Sequence, residues 1–228
     1  MEKLIESDSI VLKGQDFGES HRIITLFTVS HGKIKALARG AKRSKKRFLN
    51  ALEDLNYLVA TLKPPRTEGL YHLHSVGAKD TFPEIKNHAI KFACAGLGCE
   101  LVDLWTRELS PERDIFELLL WFLNELNQGM EPYTLTLYFK TRLLKIVGYG
   151  PEWTNLKKNG LRISDGTLRC LDFVQISPLN RLNRLKMSKQ NIKEAWALLK
   201  AMHLKHLEKE PKSYYVLRQI ASATIQTK

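Results

Sequence analysis

The apolar residues of this chain change their spacing once, near residue 80, and that change decides most of what the chain can fold into. Before it they recur at every second position in five short runs, 9–13, 21–28, 33–39, 55–62 and 70–76, rich in β-branched and aromatic side chains. Local chain breakers separate the runs, among them Gln15-Asp16-Phe17-Gly18-Glu19, His31-Gly32 and the stretch from Lys63 through Pro64-Pro65 to Gly69. A period of two turns alternate side chains to opposite faces, so each run reads as a strand with one buried face. After Ala78 the spacing becomes helical. The class is therefore α+β, with a β domain over residues 1–79 and an all-α domain over 80–228.

Within the second part, Thr81-Phe82-Pro83-Glu84 reads as a capping box that opens a helix reaching about residue 109. Its middle, Phe92 to Cys99, is apolar on all sides, with Gly96 and Gly98 letting neighbours approach closely. Ser110-Pro111 opens a second helix that Gly129 ends, and a third covers 132–147 with Gly148 as its stop. Helix returns near Ser188 and again from Ser213. Between the third helix and Ser188, at about 149–176, Asn159-Gly160 and Asp165-Gly166 read as hairpin turns in a small irregular inserted lobe.

Between the third and fourth strands lies Arg39-Gly40-Ala41-Lys42-Arg43-Ser44-Lys45-Lys46-Arg47, six positive charges in nine residues with no acid among them. Such a cluster repels itself unless solvent or a polyanion neutralises it. The strand before it alternates Lys33, Lys35 and Arg39 with Ile34, Ala36 and Ala38, which predicts a basic outer face interrupted by Leu37. The whole chain carries a net charge of +12 with 43% hydrophobic residues, which excludes a disordered basic tail and makes nucleic acid the expected polyanion. Five strands in about seventy residues around a basic loop fit a small closed barrel of the OB type, whose loops form nucleic-acid grooves. An SH3-like barrel or a small open sheet fits the same string.

No run is long enough to span a membrane, the start lacks a signal-peptide pattern, and three cysteines do not make a disulfide framework, so a reducing cytoplasm is expected. Gly40-Ala41-Lys42-Arg43-Ser44 lacks the second glycine of a phosphate loop. His72 with His74, and His203 with His206, have spacings a metal can use but no third ligand nearby. Cys94 and Cys99 fall in the apolar helix, where a thiol acts as a small hydrophobe. No catalytic constellation emerges. Of the aromatics, Phe17 sits in a loop where a base could stack on it, while Phe27, Tyr57 and Tyr71 lie on strands that must fill a core.

Phe17-Gly18-Glu19-Ser20-His21-Arg22, Leu26-Phe27-Thr28, Gly32-Lys33 and Leu37-Ala38-Arg39-Gly40-Ala41-Lys42-Arg43 resemble, in order and spacing, the start of the bacterial DNA repair protein RecO family, and Gly148-Tyr149-Gly150-Pro151 is similar to its signature before a zinc module. The resemblance implies an N-terminal OB fold and a C-terminal helical domain. It also implies binding of single- and double-stranded DNA, annealing of complementary strands, and help in loading recombinase onto DNA coated by single-strand-binding protein. RecR and the C-terminal tail of single-strand-binding protein are the implied protein partners, at a cytoplasmic, nucleoid-associated location, with no membrane and no enzymatic activity. On this reading Lys33, Lys35, Arg39, Lys42, Arg43, Lys45, Lys46 and Arg47 neutralise phosphates, with Arg22, Phe17, Lys63 and Arg66 extending the track.

An OB-fold RNA-binding protein is the alternative, because backbone neutralisation and base stacking serve RNA equally. A metal-dependent nuclease would need a carboxylate or histidine cluster that the sequence lacks. Many members of the family carry two Cys-x-x-Cys pairs in the lobe, and the corresponding positions here are Leu156, Asn159, Cys170 and Phe173. One thiolate cannot hold a tetrahedral zinc, so no cofactor and a metal-free lobe, held by hairpin turns and apolar contacts, are expected. Elemental analysis of the purified protein should find no stoichiometric zinc; one zinc per chain would contradict this.

Overall fold

The computed structural model describes residues 4–44, 47–48, 50–159 and 163–226. They form two compact units: residues 1–83 with 99–120, and residues 84–98 with 121–228.

In the first unit, β1 (Ile5–Phe17), β2 (His21–Thr28), β3 (Gly32–Ala38), β4 (Tyr57–Lys63) and β5 (Tyr71–Asp80) close into a barrel in the order β1-β2-β3-β5-β4. The barrel is of the OB type. Closure rests on a short parallel contact, Ala36 beside Tyr71 and Leu37 beside His72. Alternate residues point inward as the period of two requires, and Val11, Ile24, Leu26, Ile34, Ala36, Leu58, Leu62 and Leu73 fill the interior. β1 is longer than its apolar run. A register shift between Val11 and Lys13 ends the clean alternation, and the strand continues to Phe17 with an exposed, polar outer half.

The connection from β3 to β4 matters most for the site. Phe48 and Leu52 are buried in the barrel core, and Asn56 fastens the following turn by donating to the carbonyls of Asn50 and Ala51. Burying two such side chains stabilises this placement by about 1.5–3 kcal/mol each.

The first unit also takes in residues 99–120, the end of α2 (Ala89–Trp105) and the start of α3 (Arg113–Asn127). The segment between these helices lies along the edge of β3, where the Leu109 amide donates to the Lys33 carbonyl and Glu108 bridges to Lys33 in parallel. Gly32 makes the approach possible: it has φ +69, and a Cβ there would lie 2.0 Å from the Ser110 carbonyl oxygen.

The helix expected over 81–109 is broken. A short α1 (Pro83–Lys86) precedes α2, and the Thr81 cap does not form. Phe82 takes φ +48 instead, with its amide on the Asp80 carboxylate, while the Glu84 amide goes to Asn127. α2 then stops at Trp105, because the next residues run along β3.

In the second unit, α4 (Pro132–Ile146), α5 (Asp165–Ile176), α6 (Lys189–His206) and α7 (Ser213–Gln226) complete seven helices among the described residues. Glu131 and Ser188 cap α4 and α6 by accepting from backbone amides. Phe122 stacks on Phe139 at 4.7 Å, and Gly98 permits this, since a Cβ there would lie 2.7 Å from the Phe122 ring.

Asp165-Gly166 is not a hairpin turn. It opens α5, with Ser164 as the cap, and Glu194 of α6 accepts from the Ser164 amide and hydroxyl and the Thr167 hydroxyl. Those bonds, Ser164 first, hold the Glu194 carboxyl down to about 2. The second expected turn falls partly on Gly160, outside the described residues. The lobe is tied by side chains: buried Trp153 donates its amide to Asp172 and its indole N–H to Gln175, which in turn donates to the Pro151 carbonyl.

One buried charge stands out. Lys140 on α4 is fully buried, and its Nζ has no hydrogen-bond partner among the described residues, lying 4.5 Å over the Trp196 ring and 5.1 Å over Tyr214. Burial, then the neighbouring Lys200, pushes its pKa down to about 7 from an ordinary 10.5. Between those values the unfolded chain holds a proton that the folded chain lacks, so this group makes folding more favourable as pH rises through that window. Lys140→Met should therefore gain stability over the natural chain at pH 7. The gain should shrink by roughly 1 kcal/mol per pH unit up to pH 10 in denaturant unfolding, and a gain independent of pH would contradict this.

Candidate nucleic-acid interface

The described residues of the basic stretch, 39–44 and 47–48, are fastened at both ends. At its start Gly40 takes φ +68 and donates its amide to Nδ1 of His21, and the Lys42 amide donates to the Ser20 carbonyl, so the loop is stitched to the β1–β2 hairpin. A single 3-10 turn, Ala41–Arg43, follows. Ser44 then accepts from the amides of Arg47 and Phe48, which curls the chain back until the Arg47 guanidinium donates to the Arg39 carbonyl at 2.5 Å. Arg47 also lies 4.6 Å over the Phe48 ring, whose other contacts are in the barrel core.

Arg39, Lys42, Arg43 and Arg47 are exposed on this loop. Lys45 and Lys46 lie outside the described residues.

The facing hairpin end carries acids that the charge count of the loop did not reveal. The Asp16 carboxylate lies 2.7 Å from Lys42 Nζ and 3.7 Å from Arg22 Nε, and Glu19 is 4.0 Å from Arg43. The Lys42 ammonium, bonded to Asp16, holds that carboxyl below the usual carboxylate range despite the opposing effect of burial. Arg22 also donates to the Leu52 carbonyl, tying the hairpin to the connection from β3 to β4. Phe17 projects from the hairpin end, half exposed. A cleft of about 360 Å³ opens between hairpin and loop, lined by Asp16, Arg22, Lys42, Ser44, Phe48 and Asn50 among others.

Lys33 and Lys35 have a different setting. Lys33 is buried at 8% exposure, against the expectation of an outward basic face, because the segment after α2 covers this edge of β3. Its Nζ reaches the Asp103 carbonyl at 2.5 Å and the Asp103 carboxylate at 3.1 Å, which Lys13 also meets at 2.6 Å. Burial raises the Asp103 pKa, but Lys13 and Lys33 outweigh it and the carboxyl sits below its ordinary value. Lys35 pairs with Glu108 at 2.5 Å, a bond that raises its own pKa. A second cleft of about 280 Å³ lies here, lined by Lys33, Lys35, Tyr71, Glu108 and Leu109 with their neighbours. Asp103 is seventy residues from Lys33 and Glu108 seventy-three from Lys35 in sequence, and no local signal could have named them.

The strand register brings Lys63 opposite His72, and His72 beside Leu37, so Lys63 is two strands, about 10 Å, from the end of β3. Arg66 is exposed in the connection that follows. Phe27 and Tyr57 pack against Phe116, with ring centres at 6.0 and 6.4 Å, and Tyr71 is half-buried.

Groups with chemical potential elsewhere are quiet. Burial pushes the Cys94 thiol up to about 12 and Cys99 higher still, and His203 is driven down to about 3 by burial and the nearby Lys140. Among the described residues no three His, Cys, Asp or Glu side chains form a metal cluster, and no helix is long and apolar enough to cross a membrane. The lobe positions Leu156, Asn159, Cys170 and Phe173 supply one thiol, a donor set that does not fit zinc.

Comparison with known proteins agrees along nearly the whole chain. Residues 1–82 match the family model for the recombination protein O N terminal, and residues 87–156 and 154–214 match that for the recombination protein O C terminal. A DNA repair protein RecO of Syntrophus aciditrophicus (strain SB) is 29% identical over 247 residues, covering 94% of this chain and 95% of the relative. That of Geobacter metallireducens is 29% identical over 238 residues, covering 94% and 97%. A third, from Anaeromyxobacter sp. (strain K), is 32% identical over 165 residues, covering 72% of this chain but only 65% of the relative.

Proposed function

The chain belongs to the RecO family of DNA repair and recombination proteins, and from that premise we propose that it is a non-enzymatic recombination mediator that binds DNA through the loop at residues 39–47. The observation that carries the proposal is a cationic loop pinned at both ends, with Arg39, Lys42, Arg43 and Arg47 left exposed. A fastened loop loses less conformational entropy on binding than a free tail, so more of its charge attraction becomes affinity.

In this reading Arg39, Lys42, Arg43 and Arg47, with Lys45 and Lys46 in the same stretch, meet phosphates of single- and double-stranded DNA. Arg22, Lys63 and Arg66 extend the track, and Phe17 offers a half-exposed ring for a base to stack on. Lys33 and Lys35, already held by Asp103 and Glu108, act mainly in the fold. Neutralising two strands at once lowers the repulsion that slows their pairing, so annealing needs no catalytic residue.

Family membership supports the further reading that it helps to load recombinase onto DNA coated by single-strand-binding protein, with RecR and the acidic tail of the coating protein as partners, at a cytoplasmic, nucleoid-associated location. The helical unit, rich in lysine and arginine, is the part we assign to protein partners.

Binding to a duplex oligomer measured against salt should give a log-log slope of roughly −5, and replacing Arg39, Lys42 and Arg43 together by Ala should flatten it by about 2 units, Lys42 being already paired with Asp16. Annealing of complementary oligomers should slow in the same variant. Lys33→Met should leave the slope within about half a unit. If the triple variant keeps the natural slope and annealing rate, the loop is not the contact.

A further inference from the structure

We propose that Asp16 is an internal stand-in for a DNA phosphate: its carboxylate occupies Lys42, beside Arg22, until a nucleic-acid backbone displaces it, and so it sets how firmly strands are held. This rests on the DNA-binding reading above and adds a residue that the family comparison does not single out.

The geometry is an exchange site. Asp16 meets Lys42 Nζ at 2.7 Å and lies 3.7 Å from Arg22 Nε, so one anionic group lies against two of the cations assigned to phosphate. The backbone places it there. Asp16 pairs with Arg22 in the β1–β2 register, and the Lys42 amide bonds the Ser20 carbonyl of the same hairpin. Both partners remain reachable, with side-chain exposures of 61% for Asp16 and 37% for Lys42, and the cleft beside them gives an incoming phosphate room. The hairpin does not need the ion pair for its shape, because its main-chain ladder already runs from Phe17–His21 to Ser9–Thr28. Glu19, 4.0 Å from Arg43, repeats the arrangement more loosely.

The consequence is physical. A phosphate that binds Lys42 must replace an existing charged hydrogen bond instead of filling an open one, so each contact gains less. A protein that pairs strands must also release the duplex it makes, and a carboxylate that returns to the lysine favours release.

The test uses the full-length protein and a fluorescein-labelled single-stranded oligonucleotide, with binding followed by anisotropy across a salt series. Four variants are compared with the natural chain: Asp16→Asn, Lys42→Ala, the two combined, and Glu6→Gln as a control for net charge. Glu6 is an exposed acid at the opposite end of β1. Asp16→Asn should bind about three to five times more tightly near physiological salt and steepen the salt slope by about 0.7. In the Lys42→Ala background the same change should give no more than the gain of Glu6→Gln.

A gain equal to that of Glu6→Gln, or one that persists undiminished without Lys42, would overturn the proposal. Asp16→Ser serves as a second variant should the amide disturb the hairpin, with matching melting curves as the check. If the natural chain shows no salt-dependent binding, the DNA-binding reading fails and this inference with it. If the natural chain binds steeply while Asp16→Asn does not tighten, the stand-in alone is refuted.

Discussion

Six like charges within nine residues oppose any fixed arrangement of the chain that carries them, and the first unit is built around overcoming that repulsion. Two unit charges about 7 Å apart in water repel by about 0.6 kcal/mol before salt screening, so several neighbouring pairs cost on the order of 2–3 kcal/mol. Burying Phe48 and Leu52 at the far end of the loop offsets that cost, and backbone bonds to His21 and Ser20 secure the near end. The anchors win. The described parts of the loop, residues 39–44 and 47–48, thereby take a defined geometry.

The cations then divide by what surrounds them. Those with acids brought from beyond the barrel strands, Lys33 with Asp103 and Lys35 with Glu108, join a later segment of chain to the barrel edge. On the loop, Lys42 and Arg43 face acids of the hairpin beside them, Asp16 and Glu19, across exposed contacts. Burial separates the roles: Lys33 without its carboxylate would be a stranded charge, whereas Lys42 without Asp16 would be a solvated one.

The strands were legible because a half-buried sheet writes its alternation into the sequence, and the longer helices because theirs has a different period. What stayed hidden had physical reasons. The outer half of β1 carries exposed polar residues, and so shows no alternation to read. Asp165-Gly166 has the composition of a turn, but Ser164 and a carboxylate from α6 satisfy the amides of a helix start there. The start of α1 is capped by Asn127, which accepts from the Glu84 amide, a partner forty-three residues away that no local pattern could name. At the site, the local sequence pointed to the basic loop and to Phe17, while the burial of Lys33 depends on a segment about seventy residues further along the chain.

The most direct test is photo-crosslinking of the protein to a bromodeoxyuridine-substituted single strand, followed by mapping of the attached peptides. If the pinned loop is the contact, crosslinks will concentrate between residues 17–22 and 39–48, and salt that weakens binding will reduce them together. Crosslinks confined to residues 121–226, with the loop peptides unmodified, would contradict the account.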